Sequence, residues 1–248
     1  MILVKAFFAW LFSQNNSSLQ IGLFDGWHFL YLFIVFGGTL LLSLLGRKFS
    51  DKKQSFSNMM AYLTIGLYVI DFFIMPLSDS YDGISAYKLP FNICTIMAVL
   101  VPFVQFNPKF EKIRQPVVTL SIAASLMWMC YPGTALGGQP PFSYVIFQTF
   151  MYHGFLFCWG VLQLAYGYVV YDIRKIWKEF VGILMILVWA SFGNAVYDRG
   201  YNWFFIQTSI FPFLSDEIMP LMVVLSVFGV SLVIYGIYYL LRAVNKKK

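Results

Sequence analysis

Seven predominantly apolar stretches, each near the length of a membrane span, follow one another along the chain, at about 27–46, 59–77, 89–106, 115–131, 143–171, 179–197 and 218–241. An α-helix needs about 20 apolar residues to cross the hydrocarbon core of a bilayer. Lipid offers backbone amides and carbonyls no partner, so each stretch must satisfy its own hydrogen bonds as a helix. The expected fold class is therefore all-α, a polytopic membrane helix bundle of about seven transmembrane helices. Composition agrees where it bears on the question. Only 11% of the 248 residues are charged, against about 25% in soluble domains, and the mean hydropathy is +0.72. The 143–171 stretch is long enough to tilt or protrude. No polar insertion is large enough to fold alone. The expectation is a single membrane domain over 1–248: an N-terminal segment (1–20), a bundle (27–241) and a basic tail (242–248). The apolar 1–12 segment has one Lys5 and could pass for a weak signal peptide. An interfacial helix suits it better, because 14–18 follows without a clear small-residue cleavage site.

Basic residues order the helices in space. Arg47, Lys48, Lys52 and Lys53 follow the first stretch, Lys109, Lys112 and Arg114 the third, Arg174, Lys175 and Lys178 the fifth, and Arg242, Lys246, Lys247 and Lys248 the seventh. In alternating loops, 14 of the 17 basic residues fall on one side, leaving Lys5, Lys88 and Arg199 on the other. The positive-inside rule makes the rich side cytoplasmic, with the N-terminus outside and the C-terminus in the cytoplasm. The net charge of +6 thus reads as a basic edge on the cytoplasmic leaflet. It gives no reason to expect nucleic acid; membrane lipids are the expected partners and a multi-pass place in the cell membrane the expected localisation. No internal repeat of the kind found in duplicated transporters is visible.

Polar side chains inside spans are costly and usually face the protein interior. At a rise of about 1.5 Å per residue, Asp71 and Cys94 fall roughly 9 Å from the outer end of their spans and His153 roughly 15 Å. Asn194 lies near the outer end of its span, and His28 opens the first. The outer half is expected to hold a lined cavity, and the inner half to be poorer, with Gln163 and Cys158 as its main polar groups. Thr64, Tyr68 and Asp71 share one helical face, as do Thr149 and His153. Another stripe comprises Ser191, Asn194, Tyr197 and Asp198. The three cysteines, Cys94, Cys130 and Cys158, show neither metal-ligand spacing nor a disulfide framework; no metal and no cofactor is expected. A Cys and a His from different helices can form an activated thiolate–imidazole pair. A structural reading stands beside it: Asp71 as an interhelical hydrogen-bonding residue, and threonine and serine as common helix contacts.

Several stretches carry a resemblance. Leu89-Pro90-Phe91-Asn92-Ile93-Cys94 and Phe147-Gln148-Thr149-Phe150-Met151-Tyr152-His153-Gly154 resemble two motifs of the YwaF-like bacterial integral membrane proteins. Trp27-His28-Phe29-Leu30 is similar to their first-span histidine region, and Asn202-Trp203 to a late Asn-aromatic element. At a motif position often held by His, this chain has Asn92. A related branch is regarded as an intramembrane phospholipid acyltransferase using a Cys and a His. The resemblance implies Cys94 and His153 as the catalytic pair, with His28, Asp71, Asn92, Gln148 and Asn194 in a supporting polar cavity. The expected function is a lipid-modifying enzyme, an acyltransferase or acyl hydrolase working in the outer half of the bilayer. The alternatives are a small-solute transporter or permease, suggested by seven spans with polar midplane residues, and a non-enzymatic assembly factor.

Overall fold

The computed structural model describes residues 20–74, 88–132, 140–197, 201–209 and 214–246. Most of the N-terminal segment, most of the loop after the fourth stretch, Asp198, Arg199, Lys247 and Lys248 lie outside the described residues. All seven expected helices form: α1 (Gly26–Lys48), α2 (Lys53–Ile74), α3 (Ile93–Phe106), α4 (Glu111–Cys130), α5 (Tyr144–Ala165), α6 (Trp177–Val196) and α7 (Met219–Lys246). Six, with the short 3-10 turns that lead into some of them, are long and apolar enough to cross a membrane; α3 is a shorter apolar helix.

The amphipathicity runs opposite to that of a soluble bundle. The buried face of α2 carries Ser57, Met60, Ala61, Thr64, Tyr68 and Asp71, at spacings of three and four that make one stripe. Its outward face exposes Leu63, Val69, Ile70 and Phe73. α1 likewise turns His28, Tyr31, Val35 and Thr39 inward and leaves Phe33, Leu40, Leu41 and Leu44 exposed. Small and polar groups at helix contacts with large apolar ones outside suit a lipid solvent, where close packing and hydrogen bonds hold helices together.

α4 and α5 form the centre of the bundle. They pack on each other, with α1 and α2 against α5, α3 against α2 and α4, and α6 and α7 against α4 and each other. Close approach depends on missing side chains. A Cβ at Gly160 would lie 2.6 Å from Ile122 of α4, and one at Gly154 would lie 2.6 Å from Val35 of α1. Successive helices alternate in direction. The basic residues around Lys48, Lys53, Lys109, Lys112, Arg174, Lys178 and Arg242 thus gather at one end of the bundle, hereafter the basic end.

Two boundaries differ from expectation. α3 begins at Ile93 rather than near Leu89, because Leu89–Phe91 makes a turn closed by Phe91 N–H donating to the Leu89 carbonyl at 2.8 Å, and Pro90 disfavours helical backbone in the residue before it. Cys94 is consequently in the first turn of its helix, not one-third of the way down. The long fifth stretch does not protrude as a helix. α5 ends at Ala165, where Gly167 takes φ +80° and the Gly167 and Val169 amides turn back to the carbonyls of Leu164 and Gln163. Left-handed backbone at a glycine is a common helix terminator.

Candidate functional site

The end of the bundle opposite the basic end holds a buried charge. Asp71 occupies the last turn of α2 and is 1% exposed. A carboxylate there faces the negative end of the helix dipole, so it needs a cation and donors from elsewhere. Lys88, just before α3, places Nζ 2.5 Å from Oδ2; the contact is an ion pair whose angles depart from those of a good hydrogen bond. The Tyr144 hydroxyl, from the start of α5, donates to Oδ1 at 2.6 Å. Lys88 also lies 3.4 Å from the Gln148 Oε1, and Gln148 donates through Nε2 to the Leu67 carbonyl at 3.2 Å. Tyr68 donates to the Lys88 carbonyl at 2.7 Å. One ion pair and its hydrogen bonds therefore tie α2, the lead-in to α3 and the first two turns of α5.

Beneath this pair lie the residues with reactive side chains. Cys94 is half-buried and packs against the cluster of Tyr68, Ala98 and Tyr152. His153, 6% exposed, sits one position along α5. Its Nδ1 is 2.7 Å from the Thr149 carbonyl oxygen. A carbonyl only accepts, so Nδ1 carries a proton; in the neutral form of the ring the lone pair is then on Nε2. The ring lies flat on Trp128 of α4, with centroids 4.0 Å apart and planes 6° apart, and meets Tyr152 edge-on at 4.8 Å. Gly154 follows at once, and its lack of a side chain lets α1 close against this turn.

The other expected cavity residues hold backbone in place. His28 is fully buried; it accepts from the Phe24 amide at Nδ1 (3.0 Å) and donates through Nε2 to the Met129 carbonyl (2.8 Å), joining the start of α1 to the end of α4. Asn92 accepts from the Phe204 amide at 2.8 Å. Asn194 grips Trp203 twice, accepting from its amide at 2.9 Å and donating to its carbonyl at 3.1 Å. These bonds hold the turn between α6 and α7, where Phe204 and Phe205 take φ 58° and 54°, a left-handed backbone that bulky residues rarely adopt. Asp71, Gln148, Cys94 and His153 are thus brought to one region, and His28, Asn92 and Asn194 serve as anchors around it. Lys88, Tyr144, Trp128 and Tyr152 escaped the sequence reading. A usable signal existed for Lys88: it is one of few basic residues on its side and falls one residue before the Leu89–Cys94 motif.

The expectation of a polar-poor basic end is overturned. Gln105 accepts from Trp159 Nε1 (2.9 Å) and Gln163 Nε2 (3.1 Å) and donates to Asn58 (2.8 Å); Arg114 donates to Gln163 at 3.0 Å. Glu179, fully buried, accepts from Tyr235 at 2.5 Å and from Thr119 at 3.1 Å. These residues come from the starts and ends of spans, where depth counted from sequence is least certain. Met97, Val101 and Leu156 are buried apolar residues of the same core. Among the described residues, no three His, Cys, Asp or Glu side chains group closely enough to hold a metal ion.

The whole bundle, from the turn before α1 to the later turns of α7, falls within residues 23–241, and these match a family model, that of the TMEM164 family. The chain belongs to the TMEM164 family. It is a multi-pass membrane protein by that membership and by its six long apolar helices. The match takes in both the Asp71–Lys88 region and the Cys94–His153 region. Neither the curated proteins nor the solved structures yield a match.

Proposed function

We propose that this TMEM164-family protein is a membrane-embedded enzyme that removes an acyl group from a lipid through Cys94, with His153 as the base. The observation that carries the reading is the state of His153: one nitrogen is fixed by the Thr149 carbonyl, the ring is clamped by Trp128, and the other nitrogen is left as a proton acceptor. The neighbouring residue on α5, Tyr152, belongs to the cluster on which Cys94 packs. The likeness of the Leu89–Cys94 and Phe147–Gly154 stretches to YwaF-like proteins, and through them to a Cys/His acyltransferase branch, supports the same pair.

In the first half-reaction, the Cys94 thiol gives its proton to Nε2 of His153 and sulfur attacks the ester carbonyl carbon. The tetrahedral intermediate collapses, the carbon–oxygen ester bond breaks, and Nε2 returns the proton to the departing alkoxide. The product is a thioester on Cys94 and a lysolipid. In the second, a hydroxyl of an acceptor lipid, or water, gives its proton to Nε2 and attacks the thioester. Sulfur leaves and regains the proton. The positive-inside bias supports a site in the half of the bilayer away from the cytoplasm. The test is acyl transfer by purified protein, from phosphatidylcholine with a fluorescent acyl chain to a lysophosphatidylcholine acceptor. Cys94→Ser is expected to lose transfer; transfer at the wild-type rate in that variant refutes the covalent mechanism.

A further inference from the structure

The Tyr152 hydroxyl is buried and has no hydrogen-bond partner among the described residues. Its ring is well held: it stacks on Tyr68 at 6.2 Å and meets His153 edge-on. Nearby hydroxyls are all engaged. Tyr68 donates to the Lys88 carbonyl, Tyr144 to Asp71, and Thr149 to the Val145 carbonyl. A buried phenol normally finds a partner, because its desolvation is otherwise uncompensated. Asp71 Oδ2 likewise accepts no well-angled hydrogen bond, but it has the Lys88 ion pair; an uncompensated buried hydroxyl beside a reactive side chain is an expected mark of a site whose partner arrives with the ligand. Tyr152 also belongs, with Tyr68 and Ala98, to the cluster on which Cys94 packs. It is therefore a donor held beside the proposed nucleophile, on the same helical turn as the proposed base.

We infer that Tyr152 is the oxyanion donor of the acyl-transfer reaction, its O–H donating to the carbonyl oxygen of the ester as sulfur attacks. This rests on the reading of Cys94 as nucleophile. When the carbon–sulfur bond forms, the carbonyl π electrons move onto oxygen, and the negative charge develops where the phenol hydrogen can meet it. No proton is transferred in this step; the hydrogen bond shortens as charge builds and relaxes when the carbonyl re-forms. A donor fixed in a water-poor site before the reaction needs no reorganisation as charge appears. The same hydroxyl serves the second half-reaction, because attack on the thioester regenerates the same oxyanion.

Tyr152→Phe separates this role from a structural one. It removes a hydroxyl that holds nothing in the resting protein and keeps the ring and its packing. The variant is expected to melt at or above the wild-type temperature while its transfer rate falls about 100- to 1,000-fold, the usual consequence of losing one oxyanion donor. Alkylation of Cys94 by iodoacetamide forms no oxyanion and is expected to proceed at the wild-type rate. Tyr68→Phe, which removes a bonded hydroxyl, is the comparison and is expected to melt lower. Transfer near the wild-type rate in Tyr152→Phe overturns the proposal. So does a variant that loses stability and Cys94 alkylation together with activity, since that marks Tyr152 as a packing residue. Wild-type-rate transfer in Cys94→Ser removes the underlying mechanism; a dead Cys94→Ser with a fully active Tyr152→Phe removes only the role of Tyr152.

Discussion

Replacing Lys88 by Met is expected to destabilise the protein far more than replacing its partner Asp71 by Asn. Asp71 is almost wholly buried, with a side chain 2% exposed, whereas the Lys88 side chain is 24% exposed. Lys88→Met keeps the aliphatic stem but strands a carboxylate at the negative end of α2 with, among the described residues, the Tyr144 hydroxyl to support it. Removing one partner of a buried pair costs about 3–5 kcal/mol. Water reaching the vacated, partly open position and the retained Tyr144 bond reduce that to about 2–4 kcal/mol. Asp71→Asn leaves an ammonium that can turn to solvent and an amide oxygen that still accepts from Tyr144, at a cost of about 1 kcal/mol. With about 2–4 °C per kcal/mol for a chain of this size, Lys88→Met should lower the melting temperature by roughly 5–15 °C and Asp71→Asn by roughly 2–4 °C. The double variant should recover much of the Lys88→Met loss, because no charge is then left unpaired. The assay is the fraction of detergent-purified protein that stays monodisperse after heating. All variants are heated at one rate, since such unfolding is rarely reversible. A Lys88→Met protein that melts with the wild type, or an Asp71→Asn protein that is the less stable of the two, refutes the argument.

Two further outcomes are expected. A reporter placed in the 133–139 loop should be external and one fused after Lys248 cytoplasmic, as the 14 basic residues on one side require; accessibility labelling that reverses both would invert the bundle. Gly154→Val should push α1 from α5, because even a Cβ meets Val35 at 2.6 Å. Overpacking of this kind costs about 1–3 kcal/mol, so a melting temperature equal to that of the wild type would refute the close packing beside His153.

The order and type of the helices were legible because lipid imposes a single rule, about 20 apolar residues per crossing, and charge alternation fixes their ends. The local breaks were harder to place. Pro90 and Gly167 sit inside apolar runs whose average hydropathy hides a turn, so Cys94 was read too deep and α5 too long. The site was legible as residue types and not as contacts. Asp71 was found as a rare buried acid, but its cation lies in a connecting segment that no periodicity ties to α2. Asn92, Asn194 and His28 look like cavity residues in sequence, yet each bonds the backbone of another segment, such as Phe204 for Asn92. Glu179 is a different case: no sequence pattern singles out an acid at a span end, and Tyr171 and Tyr235, stacked at 4.1 Å, close over it.

The clamp on His153 bears on the order in which substrates come and go. With Nδ1 bonded to the Thr149 carbonyl and the ring face against Trp128, the imidazole cannot swing between two positions. One lone pair must then serve both half-reactions of the proposed chemistry. The departing lysolipid takes its proton from the nitrogen that the incoming hydroxyl will next occupy, and the two cannot stand there together. In the proposed chemistry, turnover would then follow a ping-pong sequence: donor in, lysolipid out, acceptor in, product out, with the acyl chain held on sulfur between visits.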